Sequence, residues 1–452
     1  MRMFSRRRTM TAVRIAMGSV VLVLCATPLR VASCEETAPL IRPAVAASDD
    51  LLFMVTDNDR PQADVYLWSV AAGRIRQIPF EYNVDGFCFA GDNTRVVFLG
   101  APRLGHQPSL DLFLLDLAST EVRRVTTGFW GDGLGFLAWR PGSDEVAAPR
   151  ALNRSAKAGE YGDDGLWLIN LKDGHMSQSV GPSSSGYPCC GVPWFSDDGA
   201  MLACQREGRY TAVMDVTEPA RWSRLDRPPG ANHDFLMDLV WGRGDHTLWL
   251  ACTAAVRFLL PGRAKGKGPG GIWRWNVAKS GPTTAPPPGD DDPELPGTAR
   301  DDACAVPMFE QGRSVYALAL SQDGQRLAYL NDSGIWMRNL RDGVRTRLAA
   351  MAAFPELRDV GRAQEETESG LVPVHLSWSA TDRYISVLMN GWGSQPVLRV
   401  IAVGSHAILD APRRSRIGTW VGAAWRPAPA NPPGLGATRD VGTEHCGKEQ
   451  VR

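Results

Sequence analysis

Leu320-Ser-Gln-Asp-Gly-Gln-Arg-Leu327 is one copy of a short pattern that recurs along the whole chain. The pattern has an apolar anchor residue, a tight polar turn, and a second apolar residue seven positions after the anchor. Asp-Gly supplies the positive φ angles of a tight turn, so the two apolar residues point to one face of a hairpin. Further copies begin at Phe89, Trp139, Phe195, Trp241 and Trp378, and a last anchor, Trp425, has no second half.

A second hairpin accompanies each copy of the first. Near Leu320 it consists of the strand-like run Gly334-Ile-Trp-Met-Arg338, the turn Asp342-Gly343 and another short strand. The corresponding runs begin at Asp64, Asp111, Gly165, Tyr210, Gly271, Gly334 and Pro396. The two hairpins together supply four strands, here labelled a to d. Four-stranded sheets repeated in this way are the blades of a β-propeller.

The halves of the repeat do not match at the two ends of the chain, and this mismatch predicts how the ring closes. The first c-strand run, from Asp64, has no anchor before it, and Trp425 has nothing after it. Leu51–Val55 would then be strand b of blade 1, and Thr419–Trp425 would supply its strand a. We therefore predict an all-β, seven-bladed propeller over residues 50–427, closed by a C-terminal strand; six blades is the alternative count. Closure of this kind removes free sheet edges.

These motifs resemble the TolB-like, WD-like repeat family, whose units read as Trp-Ser-Pro-Asp-Gly, an apolar strand and a strand such as Asp-Ile-Tyr. The resemblance covers about residues 50–427, and it departs from the pattern after Trp241 and Trp378, where the Pro-Asp-Gly turn is replaced. It implies the propeller fold. It does not imply one function, because such repeats occur in binding proteins, in peptidase propeller domains and in some lyases.

The N-terminus is typical of a bacterial export signal. Arg2 and Arg6–Arg8 precede the mostly apolar stretch Ala12–Thr27, which is short for a membrane span. Val31-Ala-Ser-Cys34 resembles a lipobox, in which Cys34 is lipidated; ordinary cleavage after Ala46 is the alternative. We predict an export signal over 1–34, a linker over 35–49 and a disordered tail over 428–452. The mature protein would be periplasmic, tethered to a membrane through Cys34, or secreted.

Charge and cysteine content restrict the classes of partner. Lysine plus arginine and aspartate plus glutamate both number 49, so no basic field favours nucleic acid. The cysteines lack the spacing of a zinc site. Cys88 and Cys204 are expected to be small buried hydrophobic residues, whereas Cys252 and Cys304 flank a long irregular segment and could form a disulfide across it.

Propeller geometry places the a–b and c–d turns at one end of every blade and the b–c and d–a loops at the other. Every long segment is assigned to a b–c or d–a loop, and the a–b and c–d turns are all expected to be short. The long segments are Gly100–Leu110, Ala151–Asp164, Thr253–Gly270, Lys279–Arg313 and Met351–Pro373. Since loops on a rigid scaffold often carry function, the loop-rich face is the predicted binding face.

Candidate binding residues on this face are aromatic, basic or histidine side chains. They are Arg103, His106, Trp130, Arg154, His233, His375 and Trp392, with Arg150 as a further candidate. Three histidines, His106, His233 and His375, could converge on a metal, although loop histidines are more often solvated polar residues. We therefore expect no cofactor.

Searches for catalytic motifs find no Gly-x-Ser-x-Gly, no His-Glu-x-x-His and no phosphate loop. The sequence thus favours a monomeric extracytoplasmic interaction module that binds a protein or glycan of the cell envelope. The alternative is a metal-assisted carbohydrate lyase or hydrolase with its site at the mouth of the propeller channel.

Overall fold

The computed structural model is a seven-bladed β-propeller, as predicted. It describes residues 48–57, 60–91, 93–102, 110–129, 137–150, 165–180, 193–206, 210–217, 222–225, 236–253, 255–256, 266–267, 270–277, 306–354, 374–389, 397–411 and 418–427. Each blade is a four-stranded antiparallel sheet. No helix in these ranges is long and apolar enough to cross a membrane.

The first three blades follow the predicted repeat. Blade 1 consists of β1 (Asp50–Asp57), β2 (Arg60–Ser69) and β3 (Arg74–Ile78), with β30 (Gly418–Trp425) as its strand a. Blade 2 consists of β4 (Tyr82–Phe89), β5 (Arg95–Pro102), β6 (Asp111–Asp116) and β7 (Val122–Arg124). Blade 3 consists of β8 (Ala138–Trp139), β9 (Glu145–Arg150), β10 (Gly165–Asn170) and β11 (Met176–Val180).

The remaining blades keep the same strand order. Blade 4 consists of β12 (Pro193–Phe195), β13 (Met201–Arg206), β14 (Tyr210–Asp215) and β15 (Trp222–Leu225). Blade 5 consists of β16 (Leu236–Trp241), β17 (Thr247–Cys252), β20 (Gly271–Asn276) and β21 (Val306–Phe309), with a small hairpin of β18 (Ala255–Val256) and β19 (Gly266–Lys267) in its b–c connection. Blade 6 consists of β22 (Val315–Leu320), β23 (Arg326–Asn331), β24 (Gly334–Asn339) and β25 (Arg345–Ala350), and blade 7 of β26 (Val374–Trp378), β27 (Tyr384–Met389), β28 (Val397–Ala402) and β29 (Ile408–Asp410).

The two ends of the described chain meet in blade 1. Strand β30 pairs antiparallel with β1, and the register runs from Leu51 opposite Trp425 to Asp57 opposite Gly418. The seventh anchor therefore completes the blade that lacked a strand a, which confirms the predicted closure.

The core lies between blades rather than within them. The buried side chains of the described residues form seven clusters, and each cluster combines residues from two neighbouring blades. One of them joins Leu51 and Phe53 of blade 1 to Leu388 and Val400 of blade 7. Burying a side chain of this size contributes about 1.5–3 kcal/mol, so each blade depends on its neighbours for stability.

Tryptophan anchors also connect neighbouring blades by a repeated hydrogen bond. Trp378 Nε1 donates to the carbonyl oxygen of Ala319, and Trp425 Nε1 donates to that of Ser377, both at 2.9 Å. Trp241 Nε1 makes the equivalent bond to Trp194. In each case the acceptor immediately precedes the anchor of the previous blade. Trp139 is the exception, because its buried Nε1 has no hydrogen-bond partner.

One end of the ring carries a continuous set of polar contacts; we call this end, where the a–b and c–d turns lie, the turn face. All six continuous a–b turns contain five residues. The contacts join every consecutive pair of blades, from 1–2 round to 7–1. They are Arg426–Asn93, Arg95–Asp144, Arg140–Gly199, His246–Asp198, Arg243–Gln322, Asp382–Gln322 and Arg383–Asp49.

The predicted division of loops needs one correction, in blade 5. The segment Lys279–Arg313 is not a b–c or d–a loop, because Val306–Phe309 within it pairs with β20 as strand d. The c–d connection of this blade therefore spans 29 residues, 277–305, and its ends join the turn face. Pro307 obscured the strand in the sequence, yet proline is acceptable on an outermost strand, where a missing N–H breaks no ladder.

The described cysteines are free thiols on strands; Cys204 and Cys252 are buried, and Cys88 is half-buried. The expectation of a buried apolar residue is confirmed for Cys204, whereas Cys88 packs against the core between blades 2 and 3 but is only half-buried. The suggested disulfide between Cys252 and Cys304 is wrong, since Cys252 is free. Burial raises the pKa of the Cys88 and Cys252 thiols to about 12, so neither is a reactive thiolate at neutral pH.

The indole bonds predict a graded loss of stability. We expect Trp378→Phe to lower the free energy of unfolding by about 1 kcal/mol, because the hydrogen bond from the indole to the Ala319 carbonyl would be lost. Urea denaturation followed by fluorescence measures this change. Trp139→Phe is the matched control and should cost less, since its indole N–H makes no hydrogen bond. Equal losses in the two variants would show that the indole bond does not contribute.

Candidate binding face

The face opposite the turn face carries the b–c and d–a connections, and we call it the loop face. Strand order puts strand a at one edge of every blade, and the a strands of neighbouring blades contact one another around the ring. The a strands therefore surround the central channel. Each a strand begins at the loop face and ends at its anchor on the turn face, so its first residues lie at the channel mouth on the loop face.

His375 is the one member of the predicted binding set that the structure describes. It is the second residue of β26, and its neighbours Val374 and Leu376 pack against blade 6. The alternation of a strand directs His375 to the opposite side, toward blade 1, and its side chain is exposed. Desolvation by the protein around this inner position lowers the pKa of the ring, so His375 is a neutral imidazole at neutral pH.

Asp238 occupies the equivalent position in blade 5. It lies three residues before the anchor Trp241, as His375 lies three residues before Trp378. Its carboxylate accepts hydrogen bonds from the backbone N–H of Leu239 (2.8 Å) and from that of Leu318 in the a strand of blade 6 (2.9 Å). Within its sheet β22 pairs with β23 on one side, and its other side faces the channel. The Leu318 N–H that bonds Asp238 therefore points toward the channel.

Burial has the largest effect on the pKa of Asp238. Desolvation raises the pKa of this carboxyl to about 7, although the two backbone N–H donors act in the opposite direction. At neutral pH the group is therefore divided between its protonated and ionised forms. It can donate as well as accept a hydrogen bond.

β-Bulges turn further polar residues out of the inner strands. In β4 the pairing shifts between Val84 and Gly86, and the intervening Asp85 is exposed. In β22 it shifts between Val315 and Ala317, and the hydroxyl of the intervening Tyr316 donates to Asp332 Oδ1 at 2.6 Å. Asp332 is exposed in the two-residue b–c turn of blade 6. Burial, followed by the contact with Asp332, raises the pKa of Tyr316, which stays protonated and acts as a donor.

A buried aspartate holds the start of the connection from blade 2 to blade 3. Asp111 accepts from the backbone N–H of Phe129 at 2.8 Å and from the hydroxyl of Thr126 at 3.2 Å. Arg150 donates to the Phe129 carbonyl at 2.8 Å and stacks on the ring of Trp167. Arg150, a candidate contact residue by sequence, therefore supports the loop that leads to Trp130.

Most of the predicted site lies outside the described residues. Arg103, His106, Trp130, Arg154, His233, Trp392 and the lipidation candidate Cys34 all fall there. The predicted convergence of His106, His233 and His375 therefore stays a prediction. Within the described part of the chain, no group of three His, Cys, Asp or Glu side chains is arranged to hold a metal ion.

The sequence contained a signal for Asp238 that was missed. At the position three residues before each anchor the chain has Gly86, Phe136, Val192, Asp238, Ala317, His375 and Gly422. Only the aspartate and the histidine in this set can ionise. Aligning the repeats by their anchors would have identified both as residues of the channel wall.

Comparisons with known proteins find similarity only at a low level. No protein-family model and no curated protein matches the sequence. Similar solved structures include TolB from Acinetobacter baumannii, at 10% identity and a TM-score of 0.42, covering 85% of this chain and 68% of that one. The β-propeller domain of Cps50 (Swd1) from Myceliophteria thermophila has 11% identity and a TM-score of 0.41, covering 84% and 97%. An oligogalacturonate lyase in complex with manganese has 12% identity and a TM-score of 0.45, covering 82% and 87%. Similarities at this level transfer no function to this chain.

The raised pKa of Asp238 predicts a pH-dependent stability. A carboxyl with a higher pKa in the folded than in the unfolded state stabilises the fold when protonated, and this contribution is lost as the pH rises. We expect wild-type stability relative to Asp238→Asn to fall between about pH 4 and pH 7, by on the order of 1–4 kcal/mol, and then to level off. Urea titrations from pH 4 to pH 8 measure it. Parallel profiles for the two proteins would contradict the assignment.

Proposed function

We propose that this chain is an extracytoplasmic interaction module that presents its loop face to a protein or glycan partner. The observation that supports this most directly is the difference between the two faces. Polar contacts join every pair of neighbouring blades across the turn face, whose turns are short except in blade 5. The loop face receives connections of up to 23 residues, together with the polar channel mouth.

The chemistry of the channel mouth fits a neutral, hydrogen-bonding ligand group. Asp238, Tyr316 and His375 together offer hydrogen-bond donors and acceptors at neutral pH, and none of the three is a cation. Hydroxyl groups of a glycan or amide groups of a peptide match such a surface. The exposed carboxylates Asp85 and Asp332 lie on the same face.

The position of the described chain ends is compatible with a membrane tether. Asp49 lies at the turn face, where it is buried and bonded to Thr381 and Arg383 of blade 7. The last described strand also ends at the turn face, with Trp425 opposite Leu51. A lipid on Cys34 would therefore connect along the chain to the propeller at Asp49, on the turn face.

Site-specific photocrosslinking tests which face binds the partner. Benzoylphenylalanine in place of Asp332, on the loop face, should form an adduct with a component of bacterial envelope extract. The same residue in place of Ser405, exposed in the c–d turn of blade 7, is the matched control and should form none. Protease treatment of the adduct then distinguishes a protein partner from a glycan partner. Adducts at Ser405 alone, or equally at both positions, would contradict the proposal.

Metal analysis separates the proposal from a metal-assisted lyase or hydrolase. As an interaction module, the purified full-length protein should carry no stoichiometric metal, and His375→Ala should leave its metal content and thermal stability unchanged. Elemental analysis by mass spectrometry gives the stoichiometry. One equivalent of metal per chain that is lost in His375→Ala would instead support the enzyme.

A further inference from the structure

Arginine and aromatic side chains alternate between the outer parts of blades 5 and 6. On blade 5, Trp249 and Phe309 stack with their ring centroids 5.8 Å apart, and the Arg274 guanidinium lies 5.7 Å from the Trp249 ring. The Arg338 guanidinium of blade 6 lies 4.4 Å from the Phe309 ring. The two blades thus share one continuous set of cation–π contacts.

Two more arginines belong to the same set. Arg345 lies 3.6 Å, and Arg347 5.8 Å, from the ring centroid of Trp336. Trp336 packs into the apolar cluster between blades 5 and 6, so this side of blade 6 faces blade 5. We call the four side chains Arg274, Arg338, Arg345 and Arg347 the arginine column.

The column carries more positive charge than the described carboxylates neutralise. Arg274 pairs with Asp245 at 3.2 Å, and Arg345 pairs with Glu310 at 3.3 Å. No described carboxylate pairs with Arg338 or Arg347. The Nε and Nη2 atoms of Arg345 are buried and have no hydrogen-bond partner. Stacking on the rings holds the guanidinium groups in place without neutralising them.

The strand that bears Arg345 and Arg347 is an edge. Among the described strands, β25 is the last of its sheet and pairs with β24 alone. In this pair Arg345 lies opposite Arg338, and Arg347 lies opposite Trp336. An added strand would place its side chains about 5 Å from those of β25. Residues two apart on a strand are about 6.6 Å apart on one face, so carboxylates at alternate positions of the added strand would meet Arg345 and Arg347 in turn.

We propose that the outer edge of β25 and the arginine column bind an extended, acidic segment of a protein partner, which adds to blade 6 as a fifth strand. Backbone hydrogen bonds to the free edge would supply affinity, and alternate Glu or Asp side chains would supply specificity. This site lies at the rim of the propeller, so it is separate from the loop face.

A polypeptide fits better than an anionic membrane. The arginines follow the direction of one strand rather than covering a broad surface, and the formal net charge of the chain is zero. A membrane surface attracts clusters of several basic residues with little regard for their spacing. A strand partner requires the alternate spacing that β25 has.

Fluorescence anisotropy with a labelled peptide tests the proposal. The probe is an eight-residue peptide of alternating Glu and Thr, titrated with the full-length protein. We expect saturable binding that weakens about tenfold in Arg347→Gln, because this variant loses one charge-assisted contact with the added strand. Arg341→Gln is the matched control: Arg341 is exposed in the c–d turn of the same blade, outside the column, and its replacement should leave affinity unchanged. Thermal melting of each variant confirms that it folds.

Three outcomes would overturn the proposal. Equal binding of a peptide that has the same composition but all its Glu residues in one block would show that spacing is irrelevant and would exclude strand addition. Stronger binding to vesicles containing phosphatidylglycerol would identify a membrane surface instead. Peptide binding that emerges only when Asp290, Asp291 and Asp292 are changed to Asn would show that the chain's own acidic segment occupies the column.

Discussion

Every blade of this propeller shares its hydrophobic core with the blades on either side, and the rest of the structure depends on that sharing. No cluster of described buried residues belongs to one blade alone. A partial ring would expose the inner faces of its terminal blades, so the chain gains full burial only when β30 reaches β1. The tryptophan anchors reinforce this arrangement because their indole bonds also cross from blade to blade.

A ring secured in this way separates stability from recognition. Shared cores and the contacts on the turn face join every pair of neighbouring blades, so the long connections of the loop face can vary in length at little cost in stability. The channel mouth combines the two roles in single residues. Asp238 accepts a hydrogen bond from the inner strand of blade 6, and the pKa of its carboxyl is raised to about 7. Tyr316 lies at a bulge and donates a hydrogen bond to Asp332.

Local repeats were sufficient to predict the blades but not the contacts between distant strands. The anchors and the unmatched halves at Leu51 and Trp425 predicted the closure correctly, because both depend on short-range patterns. Strand Val306–Phe309 was missed because Pro307 and a 29-residue connection hide its pairing with β20. The arginine column was invisible for a related reason: Trp249, Phe309 and Trp336 come together only when blades 5 and 6 pack. For the predicted site, His375 reaches the channel wall and Arg150 supports a connection on the loop face, whereas the other candidates lie outside the described residues.

The pairing of β1 with β30 has a mechanical consequence. The two described chain ends leave this antiparallel pair on the same side, beside Leu51 and Trp425. A force that separates the ends would load the hydrogen bonds of the pair one after another, starting at that side, rather than all together. The hydrogen bonds between β1 and β30 would therefore break one at a time under modest tension. Thermal unfolding, by contrast, must disrupt several blade interfaces together. A force applied between one chain end and a point elsewhere on the ring would not load the β1–β30 pair in this way.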